Sequence, residues 1–380
     1  MKSRSGKNAD VSRWTLSLAL VIGLCASQTT RADEDIASGY HEKPIVQIAI
    51  LLDNSGSMSG LIDQARSELW KIVNSFITAE IDGQRPQLQV ALYHYGNPPA
   101  TQLSTLTDDL DSISDALFGI QISGGSEFCG EVIQKATEEL NWSQAPDDLK
   151  VIFIAGNEPF SQGSVDYRKA CQAAIAKGII VNTIHCGNGI PDDWRDGAQL
   201  ADGKAMSIDH NQAVVDFEAP QDEEIARLGV ELNKTYVAYG ADGNEKLELQ
   251  ARQDANAANL SSSVAAQRGL AKANHLYCNS SWDLCDAVRD GTIKLEKLAK
   301  DQLPEDLRKL SLEELKMHVD NMQAQRVKIQ EQINQLNRAR NEFVAEKMKE
   351  LQDEQGADTL DNAIINTIRI QAEERKFSFN

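Results

Sequence analysis

The stretch "IAILLDNSGSMSG" (Ile48–Gly60) decides how this chain is read. Five apolar residues run into Asp53, and then into hydroxyls at Ser55 and Ser57 with a glycine between them. A continuous β-branched and leucine-rich run is the signature of a strand buried on both faces. Immediately after it, "LIDQARSELWKIVNSFI" (Leu61–Ile77) places Leu61, Ile62, Ala65, Leu69, Ile72, Val73 and Phe76 at helical spacing. The polar pentapeptide therefore sits at the carboxyl end of a buried strand and before a helix. Two local readings are open. Asp-Asn-Ser-Gly-Ser is good turn chemistry, and Ser57 or Ser59 could cap the helix. Alternatively, one carboxylate and two hydroxyls at alternate positions of an extended turn converge as oxygen ligands for a hard divalent cation.

The same alternation continues outward. "LQVALYHY" (Leu88–Tyr95), "LKVIFIA" (Leu149–Ala155), "GIIVNTIHC" (Gly178–Cys186) and "AMSIDH" (Ala205–His210) read as further strands. "TDDLDSISDAL", "CGEVIQKATEELNW" and "VDYRKACQAAIAKG" read as helices, the first with a capped start and the last closing on Gly178. Strand–helix alternation of this kind predicts an α/β fold with a doubly wound, mostly parallel sheet. In such sheets ligands bind beyond the carboxyl ends of the strands, which is where Asp53, Ser55 and Ser57 lie.

With that order in place, "DNSGSM" after the first strand resembles the metal-ion-dependent adhesion site (MIDAS) of the von Willebrand factor A (vWA) domain family. The resemblance covers roughly Pro44–Asp209. Asp53, Ser55 and Ser57 match the family's Asp-x-Ser-x-Ser motif. On a second loop, "SGGSEFCGE" (Ser123–Glu131), Ser126 stands where the family has Thr and keeps the hydroxyl. The third loop departs: "VIFIAGNEPF" (Val151–Phe160) aligns with a strand that in the family ends Thr-Asp-Gly, so Gly156 takes the acidic position. Glu158, Asn157 or Glu127 are the candidates to replace it. The resemblance implies a Mg2+ site (or Ca2+ or Mn2+), weak because fewer charged ligands hold the ion. It implies binding of a protein partner through an acidic residue of that partner.

The chain has 380 residues, 41% hydrophobic and 25% charged, with a net charge of −19. This composition fits a folded protein, and the charge argues against a nucleic-acid partner, whose phosphates require clustered cations. The N-terminus reads as a signal peptide over residues 1–32: Lys2, Arg4, Lys7 and Arg13 precede an apolar core from Trp14 to Ala26, and cleavage is expected after Ala32. The mature protein is then periplasmic or secreted, with no transmembrane span. Cys25 is followed by little that supports lipidation. Cleavage leaves Cys129, Cys171, Cys186, Cys278 and Cys285. Cys129 and Cys186 fall at the same edge of the expected sheet, so either a Cys129–Cys186 disulfide or two partly buried thiols is expected, the bridge being favoured. Cys278 and Cys285 could meet only if a helix starts between them.

The vWA domain is expected over residues 43–215 and a helical region over 216–300. Apolar 4-3 spacing through Leu315, Val319, Met322, Ile329, Ile333, Leu336 and Phe343 predicts a coiled coil or helical hairpin over 301–355, with Arg326 and Arg340 interrupting the seam. A last helix is expected over 356–380. This region, including "NKTYVAYG" (Asn233–Gly240), is similar to exported bacterial proteins with one such domain. No nucleophile elbow, HExxH or phosphate loop is present, so no enzyme is expected. His185 and Cys186, adjacent on a strand, point to opposite faces and cannot act as a pair. The expected function is an exported binding module. A structural envelope protein with a degenerate metal site, assembling through its C-terminal helices, is the alternative, and a hydrolase ranks below both.

Overall fold

A computed structural model describes residues 43–210, 217–351 and 360–379. The expected signal peptide, its cleavage site and Cys25 lie outside the described residues. In chain order the elements are β1 (Ile45–Leu52), α1 (Ser59–Asn74), β2 (Ala79–Glu80), β3 (Gln87–His94), β4 (Thr101–Thr107), α2 (Leu110–Phe118), α3 (Cys129–Glu139), β5 (Leu149–Gly156), α4 (Tyr167–Ala176), β6 (Ile180–Cys186), α5 (Asp192–Gln199) and β7 (Ala205–Ile208). There follow α6 (Asp222–Asn233), α7 (Gly243–Leu260), α8 (Ser262–Lys272), α9 (Leu284–Arg289), α10 (Leu312–Leu351), α11 (Leu360–Glu374) and β8 (Ser378–Phe379).

The main sheet has the order β4-β3-β1-β5-β6-β7, parallel except for the β4 edge. This is the doubly wound sheet that the apolar runs predict. The β4 strand escapes sequence reading because "TQLSTLT" carries only two apolar residues, as suits a half-exposed edge. Two core layers cover the faces, one under α1 and α2 and the other under α3 and α4. Asp109 caps α2 through Ser112 N, and Gly178 closes the α4 turn at φ +71°, a backbone angle that glycine adopts without strain.

Register sets the site. Leu52 on β1 lies opposite His94 on β3 and Ala155 on β5. Asp53 N donates to Ala155 O at 3.0 Å, and Tyr95 N donates to Leu52 O at 3.1 Å. Asp53, Tyr95 and Gly156 therefore leave the sheet level with one another.

The C-terminal half is a helical layer fastened to this sheet. The seam of α10 differs from expectation: α10 is one continuous helix, not a hairpin, and it packs against α6, α8 and α9 of its own chain. Its two seam arginines are ion-paired rather than exposed to a partner helix. Arg326 donates to Asp283 and Asp286, each at 2.8 Å, and Arg340 to Asp222 at 2.6 Å. Deeper, Arg268 sits between Asp111 (2.6 Å) and Asp254 (3.0 Å) with its guanidinium over Trp70. Lys272 completes the network on Asp254. These pairs link α1 and α2 of the sheet domain to α7 and α8. The chain then returns: α11 packs on α1, Gln371 and Asn182 exchange side-chain amide bonds (3.0 and 2.8 Å), and β8 pairs with β2.

Removing one partner of a buried pair strands the other charge, which costs about 3–5 kcal/mol. Arg268→Ala and Arg326→Ala are each expected to lower unfolding free energy by about 3 kcal/mol or more in urea titrations. Arg227→Ala breaks only the exposed Arg227–Glu224 pair and should leave the urea midpoint unchanged.

Candidate metal centre

Three loops meet at the carboxyl ends of β1, β3 and β5, and Asn54 staples them. Its Oδ1 accepts from Gly96 N at 2.7 Å and lies 3.1 Å from His94 Nδ1, while its Nδ2 donates to Gln121 O at 2.8 Å. Ser123 N donates to Asn54 O at 2.8 Å, and Gly125 N to Gly96 O at 2.9 Å. The backbones approach closely here: a Cβ on Gly124, at φ +99°, would stand 1.9 Å from Gly96 O. His94 is thus a rim residue bonded to the staple, and burial lowers its pKa.

Neither serine of the first loop is a helix cap. The single 3-10 turn Gly56–Met58 and α1 both begin without a side-chain cap. The hydroxyls turn instead to one another and to the third loop: Ser55 Oγ and Ser57 Oγ are 3.4 Å apart, and Asn157 Nδ2 donates to Ser57 Oγ at 3.2 Å. Asp53 is fully buried. Its Oδ1 accepts from Ser55 N at 2.7 Å, and its Oδ2 has no hydrogen-bond partner among the described residues. Glu127 is buried on the second loop, which Gln162 holds by accepting from Glu127 N at 2.7 Å. Its carboxylate interacts with Ser55, and its Oε2 also lacks a partner, as does Asn157 Oδ1.

The structure therefore brings together Asp53, Ser55, Ser57, Asn157 and Glu127. Ser126 adjoins Glu127 on the same loop, its N donating to Gly96 O at 3.2 Å. Glu158 lies close enough to act electrostatically on Asp53 and Glu127. Among the described residues no three His, Cys, Asp or Glu side chains converge as a metal cage. The donor set is mixed: carboxylate, hydroxyl and amide oxygen. Three buried oxygens without a hydrogen bond on one small surface are costly unless a cation or water satisfies them. Hard oxygen donors of this kind fit a divalent cation of the Mg2+ or Ca2+ type.

Gly156 has a physical explanation. A Cβ there would lie 2.5 Å from Tyr95 Oη and 3.1 Å from Asp53 Cβ. Tyr95, fully buried, donates to Ala155 O at 2.8 Å. Its hydroxyl fills the space that a third-loop side chain would need. Sequence reading singled out neither Tyr95 nor Asn54 as a site residue, because both roles depend on register. Trp194 is also buried rather than part of a binding surface, its Nε1 donating to Glu158 O at 2.9 Å, and Asp193 accepts from Ser161 N at 3.3 Å.

The expected Cys129–Cys186 disulfide is not formed; both are buried free thiols. The Tyr95 phenol stands near both and hydrogen-bonds with Cys129. Cys278 and Cys285 are free as well: Cys278 Sγ bonds Asp290 at 3.0 Å, and α9 starts at Leu284 under an Asp283 cap.

Burial, reinforced by Glu127 and Glu158, raises the Asp53 pKa from 3.8 to about 6. A carboxyl whose folded pKa exceeds its unfolded value stabilises the fold below the unfolded pKa, and that stability is lost as pH rises through the folded pKa. The separation corresponds to a destabilisation on the order of 3 kcal/mol at pH 8 without a cation. In chelator at pH 8, Asp53→Asn is expected to melt above the wild type. The gap should close as pH falls from about 6 towards 4, followed by scanning calorimetry.

A sequence profile of the von Willebrand factor type A domain matches residues 47–222. Solved structures similar to the chain include proximal thread matrix protein 1 from the mussel byssus, determined with a zinc-occupied MIDAS motif, at 16% identity and a TM-score of 0.37, covering 43% of this chain and 42% of that one. BatB from Bacteroides thetaiotaomicron matches at 18% identity and a TM-score of 0.33, covering 43% of this chain and 90% of that one. A von Willebrand factor type A protein from Catenulispora acidiphila matches at 17% identity and a TM-score of 0.36, covering 44% and 39%. The match thus spans less than half the length of the mussel protein. No curated protein sequence matches the chain. With the parallel sheet and the loop geometry described above, residues 47–222 of this chain are a von Willebrand factor type A domain.

Proposed function

We propose that the domain is a binding module that captures an acidic residue of a protein partner through a weakly held Mg2+. One observation carries the reading: the unpartnered oxygens of Asp53, Glu127 and Asn157, buried together beside Ser55 and Ser57. Asp53, Ser55 and Ser57 would hold the ion from the first loop, with Ser126 and Glu127 from the second. Glu127 thus replaces the acid missing at Gly156. Bound there, the ion would offer an open coordination position to a partner's carboxylate. Asp53 fixes the first loop through Ser55 N, and Asn54 fixes the second loop against it. The chain's own residues therefore supply a cradle of oxygen donors fixed by backbone hydrogen bonds.

Catalysis finds no support in the site's thiols. Burial raises the pKa of both Cys129 and Cys186 far above that of an active thiolate. The basic n-region and short apolar core at residues 1–32 support export to the periplasm or beyond. No helix among the described residues is long and apolar enough to cross a membrane. The alternative, an envelope assembly protein with a degenerate metal site, draws on the Tyr95 hydroxyl filling the Gly156 position.

Calorimetric titration with Mg2+ distinguishes the two. The wild type should bind with Kd on the order of 0.1–1 mM, Asp53→Ala should not bind, and Glu127→Gln should bind about tenfold more weakly, roughly the loss of one charged ligand. Indistinguishable isotherms for wild type and Asp53→Ala would sink the proposal. Gly156→Asp alone should fail to tighten binding, because its Cβ meets Tyr95 Oη at 2.5 Å. Gly156→Asp combined with Tyr95→Phe should bind Mg2+ about tenfold more tightly than the wild type, since the added carboxylate then has room.

A further inference from the structure

The far end of the sheet carries a second concave site. β3 runs from Gln87 to His94, whose ring lies at the metal loops. At a rise of about 3.3 Å per residue, Gln87 is therefore roughly 25 Å from them. There a cavity of about 880 Å³ opens between the turn before β3, the α8–α9 connection, α9 and α10. Its volume is that of a small-molecule site. Pro86, Leu88 and Leu276 give it an apolar wall.

The polar groups on this wall divide sharply. Nearly all its acids have strong partners already. Asp108 accepts from Gln87 Nε2 at 2.8 Å, Asp286 pairs with Arg326 and Arg289, and Asp290 accepts from Arg289 Nε and from Cys278 Sγ. Glu80 keeps only a 3.7 Å contact with Arg85. The donors are the ones left over. Lys43 is exposed and has no ion pair among the described residues, and the Arg85 side chain is 61% exposed. His275 Nε2 is buried without a hydrogen-bond partner among the described residues. The three act on one another: burial, with Arg85 and Lys43 next, drives the His275 pKa down to about 4, so its ring is neutral at pH 7. A neutral imidazole beside two cations is a donor set for an anion. It is the more notable in a chain of net charge −19, whose overall field repels anions.

The geometry points to a binding site for a small organic oxyanion in this cavity, its carboxylate or phosphate held by Lys43 and Arg85, with the His275 ring beside them, and its apolar body against Leu88 and Leu276. The site is independent of the metal loops. Both oxyanion types share this chemistry, and Arg85 offers the planar fork that suits either.

The test uses the full mature chain with phenyl phosphate, benzoate and inorganic phosphate as probes, read by calorimetry and by the His275 imidazole resonances in NMR. At least one aromatic oxyanion should bind at millimolar concentration or tighter and move the His275 resonances. Preference between the two assigns phosphate or carboxylate. Lys43→Ala and Arg85→Ala, both at exposed positions and so expected to fold, should each weaken binding at least fivefold. Asp53→Ala should bind the probe as the wild type does. The proposal fails if neither aromatic probe binds, or if Lys43→Ala/Arg85→Ala binds them unchanged. It also fails if inorganic phosphate binds as tightly as phenyl phosphate.

Discussion

The strongest constraint on the site is a buried, underpaired carboxylate at the end of the central strand. Asp53 is fully enclosed, accepts one backbone hydrogen bond and leaves its second oxygen without one. Desolvation penalises its charged form, and the neighbouring Glu127 and Glu158 add to the penalty. A position that served packing alone would carry an apolar residue here, as Leu51 and Leu52 do immediately before it. The loops around Asp53 are arranged so that its charge is held rather than relieved. Asn54 ties them to one another, and close glycine contacts at Gly96 and Gly124 keep them from spreading.

The helical layer is tied to the sheet domain through buried ion pairs. Arg268, held by Asp111 and Asp254 and stacked on Trp70, bridges the two parts of the chain. The return of α11 onto α1, and of β8 onto β2, closes the same face. Buried ion pairs contribute less net stability than well-packed apolar contacts, but they penalise any other arrangement of the partners. Arg326 and Arg340 do the same along α10: each has a specific acid waiting, so the long helix has one seat and one register.

Much of this was legible in the sequence, and the limits are physical. The parallel strands read clearly because burial on both faces demands continuous apolar residues, and the first loop read clearly because Asp53, Ser55 and Ser57 are contiguous. The β4 edge did not, since half-exposed strands need no apolar signal. In α10 the heptad pattern was correct and its interpretation incomplete. Periodicity reports an apolar stripe but not whose surface covers it, and here α6, α8 and α9 do. Spacing also placed Cys129 and Cys186 at one edge, yet Tyr95 stands near both and hydrogen-bonds with Cys129. Tyr95 and Asn54 acquire their roles only from the alignment of Leu52 with His94 and Ala155.

That alignment also explains the altered third loop. With Tyr95 Oη on Ala155 O, a side chain at 156 has nowhere to go, and glycine is the residue that fits. Glu127 brings a second buried carboxylate from the second loop, close enough to act on Asp53. On the proposed reading, Asp53 and Glu127 would together match the charge of one divalent ion, a neutral set that low-dielectric surroundings favour over two bare anions. Glu127 follows Ser126 directly and is anchored through Gln162 rather than through the sheet. The acid has moved from a strand end to a loop, where its position depends on side-chain bonds. On the proposed reading, an ion here would be held less rigidly than by two acids on strand ends, so weak binding would follow from where the second carboxylate is attached.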